Sequence, residues 1–118
     1  MACAERLKRN RDFSRVYRQG VNHNGRRIGL HAYRRRGKGV EYPTRVGFTV
    51  SRVIRGAVHR NRAKRLLREA FRLSAAEVNK GYDLIMTARW RADQEPALKS
   101  LISETNQLLI RSGAGRND

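Results

Sequence analysis

Residues 44–72 read TRVGFTVSRVIRGAVHRNRAKRLLREAFR and join a strand pattern directly to a helix pattern. In the first part, Val46, Phe48 and Val50 alternate with small or polar residues, which is typical of a half-buried strand. In the second part, apolar residues recur three and four positions apart, which is the spacing of one helix face. The segment therefore predicts a strand followed by an amphipathic, arginine-rich helix.

The predicted helix separates apolar from charged side chains. At about 100° per residue, its apolar side chains fall within an arc of about 140°. These residues are Ala63, Leu66, Leu67, Ala70 and Phe71. The first turn and the rest of the helix surface carry the residues that we call the basic ridge: Arg60, Asn61, Arg62, Lys64, Arg65, Arg68 and Arg72. We expect the apolar face to enter the core and the ridge to face a partner.

The charge of the chain points to a polyanionic partner. Its 118 residues include 27 Lys and Arg but 10 Asp and Glu, which gives a net charge of +17. Within the helix, Lys64, Arg68 and Arg72 repeat like charge at four-residue spacing, whereas a solvated face usually alternates in sign. Arginine suits phosphate because one guanidinium can bind two oxygens. These features favour nucleic-acid contact, and an ordinary solvated face is the alternative.

Length and composition narrow the other possibilities. We expect one domain over residues 1–112 and a disordered tail over 113–118. No run of about 18 apolar residues could span a bilayer, and the start lacks the apolar core of a signal peptide, so we expect a cytoplasmic protein. The single cysteine, Cys3, cannot form an internal disulfide, and the histidines lack metal-ligand spacing, so no metal site is expected.

The segments before residue 44 predict a helix, a strand and a link. Asp12 can cap a short helix that Gly20 ends. After a polar connector, residues 27–35, RIGLHAYRR, alternate as a strand does. Residues 34–43 are rich in glycine and charge, and we expect them to form a mobile link between strands.

The segments after residue 72 predict a buried strand and a final helix. Residues 82–90, YDLIMTARW, form a nearly unbroken apolar run, which is typical of a strand covered on both faces. Residues 93–113 place leucine and isoleucine at helical spacing before Gly113. The expected order of elements is therefore helix, strands, helix, strand, helix.

Aromatic residues indicate which nucleic acid is favoured. Phe13 and Tyr17 lie four residues apart beside several arginines, and they serve either the core or the stacking of bases. His31 and Tyr33 lie on the face of the first strand opposite its apolar residues and could extend a stacking surface. A helix-turn-helix or zinc fold, which would read duplex DNA, is not apparent. The pattern favours RNA or single strands.

Residues 51–71, SRVIRGAVHRNRAKRLLREAF, closely resemble the signature of the bacterial ribonuclease P protein family. The centre of that signature is an arginine-asparagine-arginine motif, which is Arg60–Asn61–Arg62 in this chain. The resemblance extends to RDFSRVYRQG at 11–20, RVGFTVSR at 45–52 and YDLIMTAR at 82–89. It implies an α/β domain of the α+β type, a two-layer sandwich with a mixed sheet of roughly four strands. It also implies that the central helix crosses between parallel strands with the uncommon left-handed sense.

The family resemblance also implies a function. In that family a catalytic RNA, with magnesium ions at its active site, cleaves precursor tRNA to give the mature 5′ end. The protein binds this RNA and the single-stranded 5′ leader, and it supplies no catalytic residue and needs no protein partner. Carried over by position, the basic ridge would face the RNA, and the leader cleft would consist of Phe13, Tyr17, His31, Tyr33, Thr49 and Ser51. His31 stands where relatives often have an aromatic residue, which makes pH-dependent leader binding a hypothesis.

Two other classes stay open on the sequence. A ribosomal or other structural RNA-binding protein has the same size and charge, and it would show no preference for precursor over mature tRNA. A self-sufficient nuclease is only weakly indicated, because the carboxylates do not cluster as a two-metal site requires. Cleavage by the protein alone would distinguish that third class.

Overall fold

The computed structural model describes residues 4–116, so Cys3 and the last two residues of the predicted tail lie outside the described range. Within it, the helices are α1 (Asn10–Gln19), α2 (Ala57–Arg72) and α3 (Leu98–Ser112). The strands are β1 (Glu5–Arg6), β2 (Val21–Asn24), β3 (Ile28–Arg34), β4 (Arg45–Val50), β5 (Glu77–Val78), β6 (Tyr82–Ala88) and β7 (Gly115–Arg116). Short 3-10 helices span Gly37–Glu41 and Ala92–Gln94. The predicted α+β class and the order of its main elements are confirmed.

The main sheet has five strands in the order β1-β4-β6-β3-β2. The central strand β6 is parallel to β4 and antiparallel to β3. The segment predicted as a polar connector contains β2, which forms an antiparallel hairpin with β3 and is exposed apart from His23. Because β2 is an edge strand with little apolar content, its sequence lacks the alternation that marks a half-buried strand.

The crossover between β4 and β6 is made by α2. These two strands are parallel neighbours, so the chain must leave the sheet and return in the same direction. Both α2 and α3 pack on one face of the sheet, where Leu84 and Met86 of β6 meet Leu67, Leu101 and Leu108 in the main core. The left-handed sense of this crossover stays a prediction.

The opposite face of the sheet carries α1. A second core cluster joins Val16 of α1 to Leu7 and to Ile85, which alternates with Leu84 and Met86 along β6. Helices on both faces explain why the sequence of β6 is apolar almost throughout. They also add a partial third layer to the expected two.

The start of α1 differs from the prediction that Asp12 caps it. The helix begins at Asn10, and Asp12 lies in its first turn, where it is buried. Its carboxylate accepts a hydrogen bond from Arg45 Nη1 at 3.2 Å and lies 3.6 Å from Arg15 Nη1. The pairing with Arg45 on β4 takes the side chain away from the cap position, so Asp12 ties the helix to the sheet. Gly20 ends the helix as predicted.

The predicted mobile link between β3 and β4 is tied down by Arg35. Its Nε donates to the Gly39 carbonyl oxygen at 3.0 Å, and Nη2 donates to the carbonyl oxygens of Tyr42 and Pro43 at 2.8 Å each. Nη1 donates to Asp83, which is fully buried, at 2.5 Å. The 3-10 turn thus forms around one guanidinium whose charge is balanced inside the sheet.

The predicted disordered tail begins with ordered structure. Gly113 ends α3 with a φ of 85°, a left-handed conformation that favours glycine and turns the chain back. Ala114 is then buried, and β7 pairs antiparallel with β5. The prediction of disorder from residue 113 is therefore wrong through residue 116, because one buried alanine and a short strand pairing hold this segment.

Candidate nucleic-acid interface

The wall of a cleft is formed by aromatic side chains of α1 that lie against the sheet. The ring of Phe13 lies on Gly47, so close that an added β-carbon there would sit 2.5 Å from the ring. One turn later, Tyr17 meets His31 edge-on, with ring centroids 4.9 Å apart and planes at 72°. Tyr17 is 47% exposed, and an exposed ring beside a sheet is available for stacking.

The floor of this cleft continues past α1 along the sheet. Thr49 of β4 and Thr87 of β6 stand in register, and their hydroxyl oxygens lie 2.9 Å apart. Ser51 follows on the same face by strand alternation, and its backbone N–H donates to the Ala88 carbonyl oxygen. Phe13, Tyr17 and His31 therefore lie where α1 meets the sheet, and Thr49 and Ser51 continue the same face, so the five side chains can line one cleft. Their role in leader binding stays a prediction.

Sequence reasoning missed two residues of the cleft floor, Thr87 and Arg89. The guanidinium of Arg89 lies on Gly29, where an added β-carbon would be 2.5 Å from its Cζ atom. Arg89 also donates a hydrogen bond to the Asn24 side chain. Both residues continue the alternation of Ile85 along β6, so the period of two was the signal that could have found them. They add a hydroxyl and a cation to the floor.

Tyr33 does not belong to this group. It stands in register with Asp83, whereas Thr49 stands in register with Thr87, four residues further along β6. Four strand residues correspond to about 13 Å. Tyr33 and Phe13 both pack against the core cluster beneath α1, but Phe13 lies on Gly47, only two residues from Thr49 along β4. The prediction that Tyr33 lines the same cleft as Thr49 is therefore corrected, because a shared face does not place residues at the same end of a strand.

His31 lies where the cleft wall meets its floor. Its Nδ1 atom is buried and has no hydrogen-bond partner among residues 4–116. Burial of the ring, followed by the nearby positive charge of Arg89, lowers the pKa of His31 below its ordinary value. The ring is therefore neutral at pH 7, and it presents an uncharged aromatic surface next to Tyr17.

We expect the substitution His31→Phe to remove a pH-dependent loss of stability. Because the pKa of His31 is lower in the folded protein, protonation favours the unfolded chain. Above about pH 7, the free energies of unfolding of the wild type and the variant should change with pH in the same way. As the pH drops through about 6.5, the wild-type free energy of unfolding should fall relative to that of the variant. Urea unfolding at several pH values measures this, with His23→Gln as the control. A constant difference between wild type and His31→Phe would contradict it.

The basic ridge of α2 keeps several cations without acidic partners. Arg65 and Arg68 are exposed and Lys64 is half-buried, and in the described part of the chain none of the three forms a salt bridge. The guanidinium carbon of Arg68 lies 5.9 Å from the centroid of the Phe48 ring. Asn61 is also exposed and can both donate and accept hydrogen bonds. This part of the ridge is free to meet phosphates, and its contact with RNA stays a prediction.

Two other ridge residues are already paired. Arg62 donates to both carboxylate oxygens of Glu95, from Nε at 2.5 Å and from Nη2 at 2.9 Å. Arg72 pairs with Glu69 one turn earlier. Hydrogen bonds from these guanidinium groups lower the pKa of both carboxyl groups. All four side chains are substantially exposed, so a phosphate can compete with these pairs at little cost.

Arg60 has a different role from the one predicted. Its guanidinium donates to the carbonyl oxygens of Val50 at 2.9 Å, Ser51 at 3.0 Å and Ile54 at 2.8 Å. These bonds attach the first turn of α2 to the end of β4, next to the floor of the cleft. Gly56 precedes the helix with a φ of 86° and allows the sharp change of direction there. Arg60 therefore positions the ridge beside the cleft, and its contact with RNA is not supported by this geometry.

The arrangement can bind an anionic single strand. Rings offer stacking surfaces, hydroxyls offer hydrogen bonds, and the cations of α2 and Arg89 offer phosphate contacts. Among residues 4–116, no group of three or more His, Cys, Asp or Glu side chains could hold a metal ion. In the same range, no helix is both long enough and apolar enough to cross a membrane.

Comparison with known proteins identifies similar chains. A sequence model of the family described as Ribonuclease P matches residues 1–113. A ribonuclease P protein component from Symbiobacterium thermophilum is 39% identical over 113 residues, which cover 96% of this chain and 95% of the relative. One from Natranaerobius thermophilus is 42% identical over 88 residues, which cover 75% of this chain and 73% of the relative.

Solved structures give the same result for the fold. The RNase P protein of Staphylococcus aureus superposes with a TM-score of 0.74 at 26% identity, over 97% of this chain and 100% of its own. The RNase P protein from Thermotoga maritima gives a TM-score of 0.73 at 25% identity, over 91% of this chain and 96% of its own.

Proposed function

The chain belongs to the ribonuclease P protein family, and we propose that its leader cleft holds the single-stranded 5′ leader of precursor tRNA while the basic ridge, apart from Arg60, binds the catalytic RNA. Its function is that of the protein subunit of ribonuclease P in the processing of tRNA 5′ ends. We revise the leader cleft to Phe13, Tyr17, His31, Thr49, Ser51, Thr87 and Arg89.

The observation that carries the proposal is the pairing of Tyr17 with His31 beside the Thr49–Thr87 hydroxyl pair. An exposed ring lies edge-on to a second ring at 4.9 Å, next to two hydroxyl oxygens 2.9 Å apart. Such a surface suits a single strand, since unpaired bases can stack and sugars can hydrogen-bond there. A duplex presents its bases stacked and paired, and it could not use the rings.

The basic ridge supports association of the protein with two polyanions. Lys64, Arg65 and Arg68 carry positive charge without acidic partners in the described range, and the bonds of Arg60 hold their helix next to the cleft. We propose that the protein neutralises phosphates and orients the leader, and that the cleavage chemistry belongs to the RNA. We propose that the magnesium ions implied by the family resemblance act at the RNA. We assign the protein to the cytoplasm, with the catalytic RNA and precursor tRNA as its partners.

Cleavage of precursor tRNA tests the proposed division of labour. The reaction is run at moderate magnesium concentration with the catalytic RNA alone, the protein alone, and both together. We expect slow cleavage by the RNA, none by the protein and faster cleavage by the complex. Cleavage by the protein alone would overturn the proposal and favour a self-sufficient nuclease.

The substitution Arg65→Ala tests the ridge. The side chain is exposed on α2, so its removal should leave the fold intact and weaken binding to the catalytic RNA. If it neutralises one phosphate, the slope of log affinity against log salt concentration should fall by about one. Lys99→Ala removes an exposed charge from α3 and serves as the control with an unchanged slope. Equal slopes for Arg65→Ala and wild type would remove Arg65 from the phosphate contacts.

A further inference from the structure

A second groove lies at the edge of the main sheet where β1 ends. β1 pairs with β4 only at Arg45 and Val46, and the last bond across this edge runs from the Leu7 N–H to the Val46 carbonyl oxygen at 3.0 Å. Outward-facing backbone groups alternate along a parallel strand, so Phe48 is the next residue to present its N–H and carbonyl to this edge. We call the space between β1, this edge and α2 the edge groove.

The edge groove has an aromatic wall. Its volume is about 460 Å³, which lies within the range of small-molecule sites. The apolar side chains that line it are those of Ala4, Leu7, Phe13, Val46, Phe48 and Phe71. Phe48 is half-buried and meets Phe71 edge-on, with centroids 6.1 Å apart. A ring fixed in this way can pack against a planar base without loss of its own conformational freedom.

Cations form the other side of the edge groove. Lys64, Arg68 and Arg72 line it from successive turns of α2, and Glu5 is the one acidic side chain among the described lining residues. Arg68 lies above the Phe48 ring, with its guanidinium carbon 5.9 Å from the centroid. A ligand that fits must therefore combine an apolar, planar part with an anion.

These features match one nucleotide better than a peptide. Strand addition needs several open residues in succession, but after Phe48 the next outward carbonyl, that of Val50, already accepts a hydrogen bond from Arg60 at 2.9 Å. A nucleotide needs only one backbone pair for its base edge and one or two cations for its phosphate. Phe48 provides the backbone pair at the open edge, and Lys64 and Arg68 provide the cations.

We propose that the edge groove binds one unpaired nucleotide of the catalytic RNA, with its base against Phe48 and its phosphate on Lys64 and Arg68. We assign the nucleotide to the catalytic RNA because Lys64 and Arg68 belong to the basic ridge, so this assignment rests on the proposed function. Phe13 borders both sites, but the leader is the less suitable source because its cleft continues along Thr49, which points to the opposite face of β4 from Phe48.

Titration of the free protein with adenosine 5′-monophosphate tests the groove without any RNA. We expect saturable NMR shifts of the backbone amides of Gly47, Phe48 and Arg68. Ribose 5-phosphate, which lacks the base, should bind about tenfold more weakly. Arg68→Gln should weaken binding of the nucleotide about tenfold. Arg26→Gln removes an exposed arginine at the opposite edge of the sheet and should leave nucleotide binding unchanged.

Two results of this titration would contradict the proposal. Equal affinity for the nucleotide and for ribose 5-phosphate would reduce the groove to a phosphate site and overturn the proposal. Nucleotide-induced shifts confined to Tyr17 and Thr49 would overturn it in favour of the leader cleft.

The source of the nucleotide is tested with the catalytic RNA in the absence of substrate. Arg68→Gln should lower the affinity for this RNA about tenfold and leave the preference for precursor over mature tRNA unchanged. The reverse pattern would assign the nucleotide to the leader and overturn the proposed source. Saturable binding of adenosine 5′-monophosphate by a protein with no affinity for the catalytic RNA would support the groove and overturn the proposed function.

Discussion

The substitution Asp83→Asn is expected to lower the free energy of unfolding by about 3 to 5 kcal/mol. Asp83 is fully buried, and its carboxylate accepts hydrogen bonds from Arg35 at 2.5 Å and from Nε and Nη2 of Arg45 at 2.8 and 2.6 Å. Asparagine keeps the shape but loses the charge, and the NH₂ group that replaces one carboxylate oxygen cannot accept a hydrogen bond from a guanidinium. Arg35 would then lack its buried counter-charge and Arg45 would keep only Asp12, which is far more costly than the loss of a surface pair.

Asp93→Asn is the matched control for this substitution. Asp93 pairs with Arg91 at 3.2 Å, but both side chains are about two-thirds exposed, so its loss should cost less than about 1 kcal/mol. Urea unfolding of the two variants and the wild type at pH 7 gives both values. Similar small losses for both variants would show that the buried pair does not stabilise the fold.

The buried pair also affects the leader cleft, because Arg45 joins Asp83 to Asp12 of α1. The loss of Asp83 should therefore loosen the helix that carries Tyr17. We expect Asp83→Asn to weaken leader binding even at temperatures where the variant is still folded. Asp93→Asn should bind as the wild type does.

The substitution Tyr17→Ala is expected to weaken binding of precursor tRNA by about 1 to 3 kcal/mol, or roughly 5- to 150-fold. The ring is 47% exposed and lies edge-on to His31, so its removal should cost little stability. Mature tRNA, which has no leader, should bind the holoenzyme as before. Phe13→Ala should reduce leader affinity too, but it also removes the ring that packs on Gly47, so part of its effect would come from the fold.

Tyr42→Ala is the matched control for Tyr17→Ala. Tyr42 is 63% exposed, and it lies just before β4 outside the leader cleft. Affinities of the holoenzyme, assembled with each variant, are measured for precursor and mature tRNA at one salt concentration. If Tyr17→Ala weakened both RNAs equally, the ring would act in the core or on the tRNA body and not on the leader.

The fold was largely predictable because its periodic segments are long. Residues 44–72 combine a period of two with a period near 3.6, and the structure forms β4 and α2 there. The apolar run of β6 indicated coverage of both faces, which α1, α2 and α3 provide. The strand β2 was missed because it is an edge strand with little apolar content, although its partner β3 follows directly in the chain. The tail strand β7 was missed because its partner β5 is distant in sequence.

The site was less predictable because charge does not reveal which way a side chain points. Arg60 belongs to the same motif as Asn61, yet three backbone carbonyls hold its half-buried guanidinium against the end of β4. Arg62 pairs with Glu95, which lies 33 residues away in sequence. These partners come from loops whose conformation is set by tertiary contacts, and helical spacing cannot place them.

Arg89 illustrates the opposite error. It follows an apolar strand and was seen only as the end of that strand, but strand alternation brings it to the cleft beside His31 and over Gly29. Tyr33 lies on the predicted face of β3, but at the end of the strand away from Thr87. Strand alternation could have placed Arg89, whereas the position of Tyr33 depends on the register between strands, which a single sequence does not contain.

The central claim is that the cleft between α1 and the sheet recognises the leader. The most direct test is the ratio of the affinities of the holoenzyme for precursor and mature tRNA, measured as the leader is shortened one nucleotide at a time. We predict that the wild-type ratio favours the precursor and drops when the leader becomes too short to reach Tyr17, and that Tyr17→Ala lowers the ratio for long leaders only. A ratio that does not depend on leader length would contradict the account and favour a structural RNA-binding protein.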